Sequence, residues 1–243
     1  MQDIGADRAP ALRLDAGNAL FKKPMPAQPR ELAVAAGMMD IYVAMGYDAV
    51  AVGVNDLVAG PDFLKKNAKM PWLSANLIDD QGKNLFPASV TLKRGEMRVG
   101  VIGLTGAVPA GQTGLRAGDW RQPLAEAVKA LRPECHLLVV LSNLSAADNA
   151  ELVKNYPDID LIVTADDRGG NVAPRPEQKP WIVQTMALGK TLGVLTMVGQ
   201  LPLSIPMNWD IGPTIVPIVP LKMTMPEDPA IADMVRNIQQ MAH

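Results

Sequence analysis

Cysteine and histidine are nearly missing from this chain of 243 residues, which has one Cys and two His. A lone Cys135 excludes an intramolecular disulfide and any Cys-rich zinc or iron–sulfur cage. His136 and His243 have no spaced partner of the kind that a histidine metal site or a Ser–His–Asp triad needs. Aromatic residues are scarce as well, with three Phe, three Tyr and four Trp. Together with a net charge of −2, that leaves neither the cationic surplus nor the stacking groups of a nucleic-acid binder. Long apolar runs are also lacking. The uncharged stretch Val99 to Leu115 is broken by five glycines and Pro109, so no bilayer span is expected there. The first ten residues, MQDIGADRAP, carry no apolar h-region. Cytoplasmic residence and export after removal of a signal peptide both stay open.

What is present is ordinary globular composition, 48% hydrophobic and 20% charged, in a length that suits one large domain. Short β-branched runs alternate with helical spacing, which predicts an α/β fold. Strands are expected at Ala11–Asp15, Asp48–Val52, Trp72–Asn76, His136–Leu141 and Asp160–Thr164. A hairpin is expected from Ser89–Lys93 and Met97–Leu104 around Arg94-Gly95-Glu96, and a final strand pair from Trp181–Thr185 and Leu192–Val198. Helices are expected over Glu31–Met45, closed by Gly46, and over Pro61–Ala68, Pro123–Leu131 and Ala147–Asn155. Leu201–Pro220, with five prolines, reads as an extended crossing segment. A last helix, Pro229–Met241, starts behind Asp228 as N-cap. No repeat or linker divides the chain, so residues 1–243 are taken as a single domain.

Four of these strands run into loops bearing Asn or Asp: Asp15 to Asn18, Val52 to Asp56, Leu141 to Asn143, and Thr164 to Asp167. In open α/β sheets the ligand crevice lies beyond the carboxyl ends of the strands. The four loops are therefore expected to converge. Singly, each Asn or Asp is more often a turn former than a ligand, because its side chain bonds local backbone. The glycines of Gly100-Val-Ile-Gly103-Leu-Thr-Gly106 lack the order of a dinucleotide fingerprint and the Lys-Ser/Thr of a P-loop. Close backbone packing accounts for them better.

The ordered series of segments resembles the 5′-nucleotidase branch of the calcineurin-like metallophosphoesterases, over nearly the whole chain. Leu14-Asp15-Ala16-Gly17-Asn18-Ala19-Leu20-Phe21 is similar to that family's LDAGDxF, and Met45-Gly46-Tyr47-Asp48-Ala49-Val50 with Val52-Gly53-Val54-Asn55-Asp56 to its MGYDAVxxGNHE. Leu73-Ser74-Ala75-Asn76 matches LSAN, Arg98 to Thr105 its IGVIGLT strand, and Leu141-Ser142-Asn143-Leu144 stands at LSHLG. Asp166-Asp167-Arg168 stands at GHxH, and Ile182-Val183-Gln184 with Gly189-Lys190-Thr191-Leu192-Gly193 resembles the closing strands.

The resemblance implies a four-layer sandwich of two mixed β-sheets flanked by helices, a two-metal phosphoester hydrolase site, and a periplasmic or secreted protein. It also locates the departures. The family's bridging aspartate falls on Asn18, its metal-binding Asn on Val54, its catalytic His on Asn55, the acidic partner on Asp56, and the histidine of LSH on Asn143. The GHxH histidines fall on Asp166 and Arg168, and the opening DxH motif has no counterpart before Asp15. Arg168 brings a fixed positive charge where a cation would sit. Two unit charges at about 4 Å and an effective dielectric of ~20 repel by about 4 kcal/mol.

No cofactor is expected on this basis, and weak Mg²⁺ or Ca²⁺ binding would fall to Asn18, Asn143 and Asp166 as oxygen donors. The candidate ligand cleft comprises Asn18, Asn55, Asp56, Asn143, Asp166 and Arg168. On the same resemblance, no second, nucleotide-gripping domain is expected within these residues. Three functions follow: a catalytically degenerate phosphoesterase-like domain acting as a binding or scaffolding module, a phosphoester hydrolase with a non-standard oxygen-rich metal site, or a binder of a small polar solute. The partner in the first case is a protein or a small polar ligand.

Overall fold

Pro29 fixes the backbone for a first helical turn, and the Glu31 carboxylate accepts the Gln28 backbone N–H at 2.8 Å, so helix α1 runs over Pro29–Ala44. Gly46, at φ +68°, ends it in the left-handed conformation that glycine adopts freely. The computed structural model describes residues 11–165, 170–175, 179–187, 189–199, 204–211, 218–222 and 224–241. Among them, no helix is long and apolar enough to cross a membrane.

Strand β1 (Leu14–Asp15), β2 (Ala49–Ala51) and β3 (Trp72–Leu73) form a parallel sheet in that order. A 3-10 turn at Asp56–Ala59 and helix α2 (Pro61–Lys65) connect β2 to β3. The second sheet holds β5 (Ser89–Arg94), β6 (Met97–Thr105), β8 (Leu137–Asn143), β9 (Leu161–Thr164) and β10 (Trp181–Val183). Its order is β10-β9-β8-β6-β5, parallel except for the expected β5–β6 hairpin, in which Arg94 joins the ladder opposite Met97 and leaves Gly95-Glu96 as the turn. Helices α3 (Arg121–Leu131) and α4 (Ala146–Asn155) supply the crossovers that parallel neighbours require. Ser145 caps α4 by accepting the Asp148 N–H at 3.1 Å.

Alternation along the strands divides the apolar residues into three clusters. Ala49 and Ala51 of β2 join Leu73, Val99, Val101, Leu137, Val139, Leu141 and Trp181 in a core shared by the two sheets. Val50, Val52 and Trp72 point the other way, onto Ala35 and Met39 of α1 and onto Leu57 and Leu64. Ile102, Leu104, Leu138 and Val140 face Leu124, Val128 and Leu152 of α3 and α4. Each fully buried side chain of this kind contributes about 1.5–3 kcal/mol. Close approach of the sheets depends on Gly103, where a Cβ would lie 2.4 Å from the Leu73 carbonyl oxygen.

Several boundaries differ from the sequence expectation. The first strand is only Leu14–Asp15, and β3 stops at Leu73 because Ser74 and Asn76 turn inward to make side-chain hydrogen bonds. α2 ends at Lys65, where Asn67 instead accepts the Lys69 N–H in a local turn. The pair β4 (Leu77–Asp79) and β7 (Leu115–Ala117) carried no sequence signal. Trp181–Thr185 and Leu192–Val198 do not form a strand pair. β10 adds to β9, and the second run divides into β11 (Thr191–Gly193) and β12 (Met197–Gly199). These pair with β14 (Ile218–Pro220) and β13 (Trp209–Ile211), inside the segment expected to be merely extended.

The closing helix α5 (Pro229–Met241) begins behind Asp228, whose Oδ1 accepts the Ala230 and Ile231 N–H groups at 2.9 and 3.3 Å. It lies on α1, with Ile238 seated over Gly37, where a Cβ would meet Ile238 Cγ1 at 2.3 Å. A groove of about 530 Å³ between the two helices is lined by Arg30, Val34, Met38, Ile41 and Val235.

Candidate functional site at the strand ends

The carboxyl ends of β1, β2, β3, β6 and β8 meet, and polar side chains join them. The turn after β1 places Gly17 at φ +96° and Asn18 at φ +63°, a left-handed conformation that Asn tolerates better than most residues. Gly17 packs directly on the β2 end, since a Cβ there would lie 2.7 Å from the Gly53 nitrogen. The loop Gly53–Asp56 then receives bonds from three directions. The Asn55 N–H donates to Asn18 Oδ1 (2.9 Å), the Val54 N–H to Asn143 Oδ1 (3.0 Å), and the Gly53 N–H to Asp56 Oδ2 (2.9 Å). Asn143 in turn donates from Nδ2 to the Ala165 carbonyl at 3.2 Å, linking β8 to the segment after β9.

Asp56 is completely buried. Its Oδ2 also accepts the Asn18 N–H (2.8 Å), and its Oδ1 the Leu20 N–H (2.9 Å). Burial pushes its carboxyl up to about 7 against the pull of these three donors, and the nearby charge of Asp15 adds to the rise. Asp15 is also raised by desolvation, while the Gly17 N–H and the Tyr42 hydroxyl, at 2.8 Å each, favour its charged form.

A further layer lies behind these loops. Thr105 donates its hydroxyl to the Val52 carbonyl (2.7 Å) and lies 2.8 Å from Ser74 Oγ. With its only proton spent on Val52, Thr105 is the acceptor in the contact with Ser74. Asn76 clamps β6 by accepting the Thr105 N–H and donating to the Thr105 and Gly118 carbonyls. Ser142 donates to Asn149 Oδ1 (2.6 Å), and Asn149 reaches Thr164 Oγ1 (2.8 Å), tying β8, α4 and β9.

Asn18, Asn55, Asp56 and Asn143 are thus brought together, while Asp166 and Arg168 lie outside the described residues. Asn55 enters through its backbone N–H. Ser74, Asn76, Thr105 and Asn149 had no role assigned from sequence, although polar residues set into apolar strands were the available signal. His136 is buried and accepts the Arg98 N–H at Nδ1 (3.0 Å), a structural role. Among the described residues, no three or more His, Cys, Asp or Glu side chains group as they would around a metal ion. A second groove, of about 230 Å³, is lined by Ala146, Asn149, Val153, Val172, Arg175 and Ile182. Neither groove is lined by Asn18, Asn55, Asp56 or Asn143.

No protein-family model matches the chain, and no curated protein matches it. Solved structures do. Over 95% of this chain, it is similar to the sulfate thiohydrolase SoxB of Thermus thermophilus in complex with glycerol, at 23% identity and a TM-score of 0.73. Over 99% it is similar to a 5′-nucleotidase precursor, also from Thermus thermophilus, at 22% identity and a TM-score of 0.70. A calcineurin-like phosphoesterase, YfkN, from Bacillus subtilis aligns over 95% of the chain at 15% identity and a TM-score of 0.72. The match covers 43% and 51% of the first two proteins and 83% of the third, so the chain spans about half the length of the first two. The chain carries the fold shared by 5′-nucleotidases and calcineurin-like phosphoesterases, that of the N-terminal metallophosphatase domain of the 5′-nucleotidase branch.

Proposed function

We propose that the chain is a catalytically degenerate phosphoesterase-fold domain, a binding or scaffolding module for a protein or small polar ligand. The observation that carries this reading is the use already made of the candidate donors. Asn18 Oδ1, Asn143 Oδ1 and both oxygens of Asp56 accept backbone N–H groups, and the Val54 side chain has no atom that could bind a metal. Stripping one such buried bond leaves an unsatisfied donor, at a cost of about 1–3 kcal/mol. The described residues therefore do not fit a dinuclear centre, and no hydrolytic step is assigned to them. The three apolar clusters support arranging the domain as four layers, helices outside two sheets. Export to the periplasm or exterior belongs to the same proposal and is supported by the sequence resemblance alone.

Elemental analysis of the purified protein, with turnover assays on p-nitrophenyl phosphate and AMP, tests the reading. The expected outcome is divalent metal at trace level and no turnover. Stoichiometric metal with metal-dependent hydrolysis would establish the competing reading, an oxygen-rich Mg²⁺ or Ca²⁺ hydrolase site completed by Asp166.

A further inference from the structure

The loop Gly53–Asp56 presents three consecutive backbone N–H groups, on Gly53, Val54 and Asn55, and a different side chain satisfies each. Two of those side chains come from other strand ends, 89 and 37 residues away in sequence. A turn-forming Asn or Asp bonds its own backbone within two or three residues, so local turn chemistry does not account for them. We propose that these contacts form a cation-independent clasp: the side-chain oxygens of Asn18, Asn143 and Asp56 join the ends of β1, β2 and β8, the joining that metal ions would supply if these loops held a metal centre. The proposal concerns how the strand ends are assembled and goes beyond the loss of catalysis.

Space and charge agree with the bonding. A Cβ on Gly53 would lie 2.5 Å from Asn18 Oδ1 and 2.4 Å from the Asn18 nitrogen, so loop backbone fills the volume beside that oxygen. On the far side of the crown, Gly106 packs on the Asn143 carbonyl, where a Cβ would lie 2.2 Å away. Metal–oxygen bonds of about 2.0–2.6 Å need an opening between such groups, and here the groups touch one another. The amide at Asn18 also supplies an acceptor without charge, next to the carboxylates of Asp15 and Asp56. A carboxylate at that position would place a third negative charge beside those two.

Backbone hydrogen exchange on the intact protein, measured by NMR with excess EDTA, tests the clasp. The Val54 and Asn55 amides should exchange at least about 100-fold more slowly than an open loop. Addition of Mg²⁺, Ca²⁺ or Mn²⁺ should leave that protection unchanged and shift the melting temperature by less than about 2 °C. Asn143→Ala should release the Val54 amide and leave Asn55 protected. Asn18→Gly, which suits the left-handed backbone there, should do the reverse. Fast exchange of both amides in EDTA, or a larger stabilisation by a divalent ion, would overturn the clasp. Because turnover is not read, a crown stiffened by metal in a protein without activity would refute the clasp and leave the loss of catalysis standing.

Discussion

Asp56→Ala removes one carboxylate and strands three buried donors, the N–H groups of Asn18, Leu20 and Gly53. Each unsatisfied donor costs about 1–3 kcal/mol, which sums to at most ~9 kcal/mol. Water entering the small cavity and relief from a desolvated charge offset part of that, leaving a net loss of ~3–4 kcal/mol at neutral pH. For a domain of this size, about 2–4 °C is lost per kcal/mol, so the melting temperature should fall by ~10 °C. The pH dependence gives a second signature. The folded-state carboxyl titrates at about 7 and the unfolded one at 3.8, so the folded protein holds the proton more tightly in between. Its stabilising effect is fully present below pH ~4 and is lost as the pH rises through ~7, at about 1.4 kcal/mol per unit. The deficit of the variant relative to wild type should therefore be larger at about pH 5 than at about pH 8, by ~2–3 kcal/mol. Thermal and urea unfolding followed by circular dichroism at both values would measure it. A melting temperature within about 2 °C of wild type, or a deficit that grows with pH, would refute the account of Asp56 as a buried brace.

Two further substitutions probe the frame around the site. Gly103→Ala should destabilise by about 1–3 kcal/mol in urea unfolding, because its methyl would sit 2.4 and 2.6 Å from the oxygen and carbon of the Leu73 carbonyl, which belong to the facing sheet and cannot swing away. Asp228→Ala should cost about 1 kcal/mol through loss of the α5 cap, and it should speed exchange of the Ala230 and Ile231 amides selectively.

The long periodic elements were legible in sequence. α1, α3, α4, α5 and the β5–β6 hairpin fall within a few residues of expectation, since each carries a full period and a terminal Pro, Gly or cap residue. The three-residue strands β4, β7, β11 and β12 were not, because so short a run shows no period and their partners are distant. The glycines of β6 were read correctly as packing positions, as Gly100 and Gly103 show. At the site, residue types marked where the strand ends would converge. They did not reveal which way Asn18 and Asn143 turn, or that Thr105 and Asn76 stand behind them. A side-chain oxygen reads the same in sequence whether its lone pair faces solvent or a backbone N–H contributed by a loop 37 or 89 residues distant.

The notch at Gly37 makes the first long helix wait for the last during synthesis. Until Ile238 emerges from the ribosome, the groove side of Val34, Met38 and Ile41 lacks its α5 neighbour. A chain lacking the turns around Ile238 would leave that strip of α1 facing water.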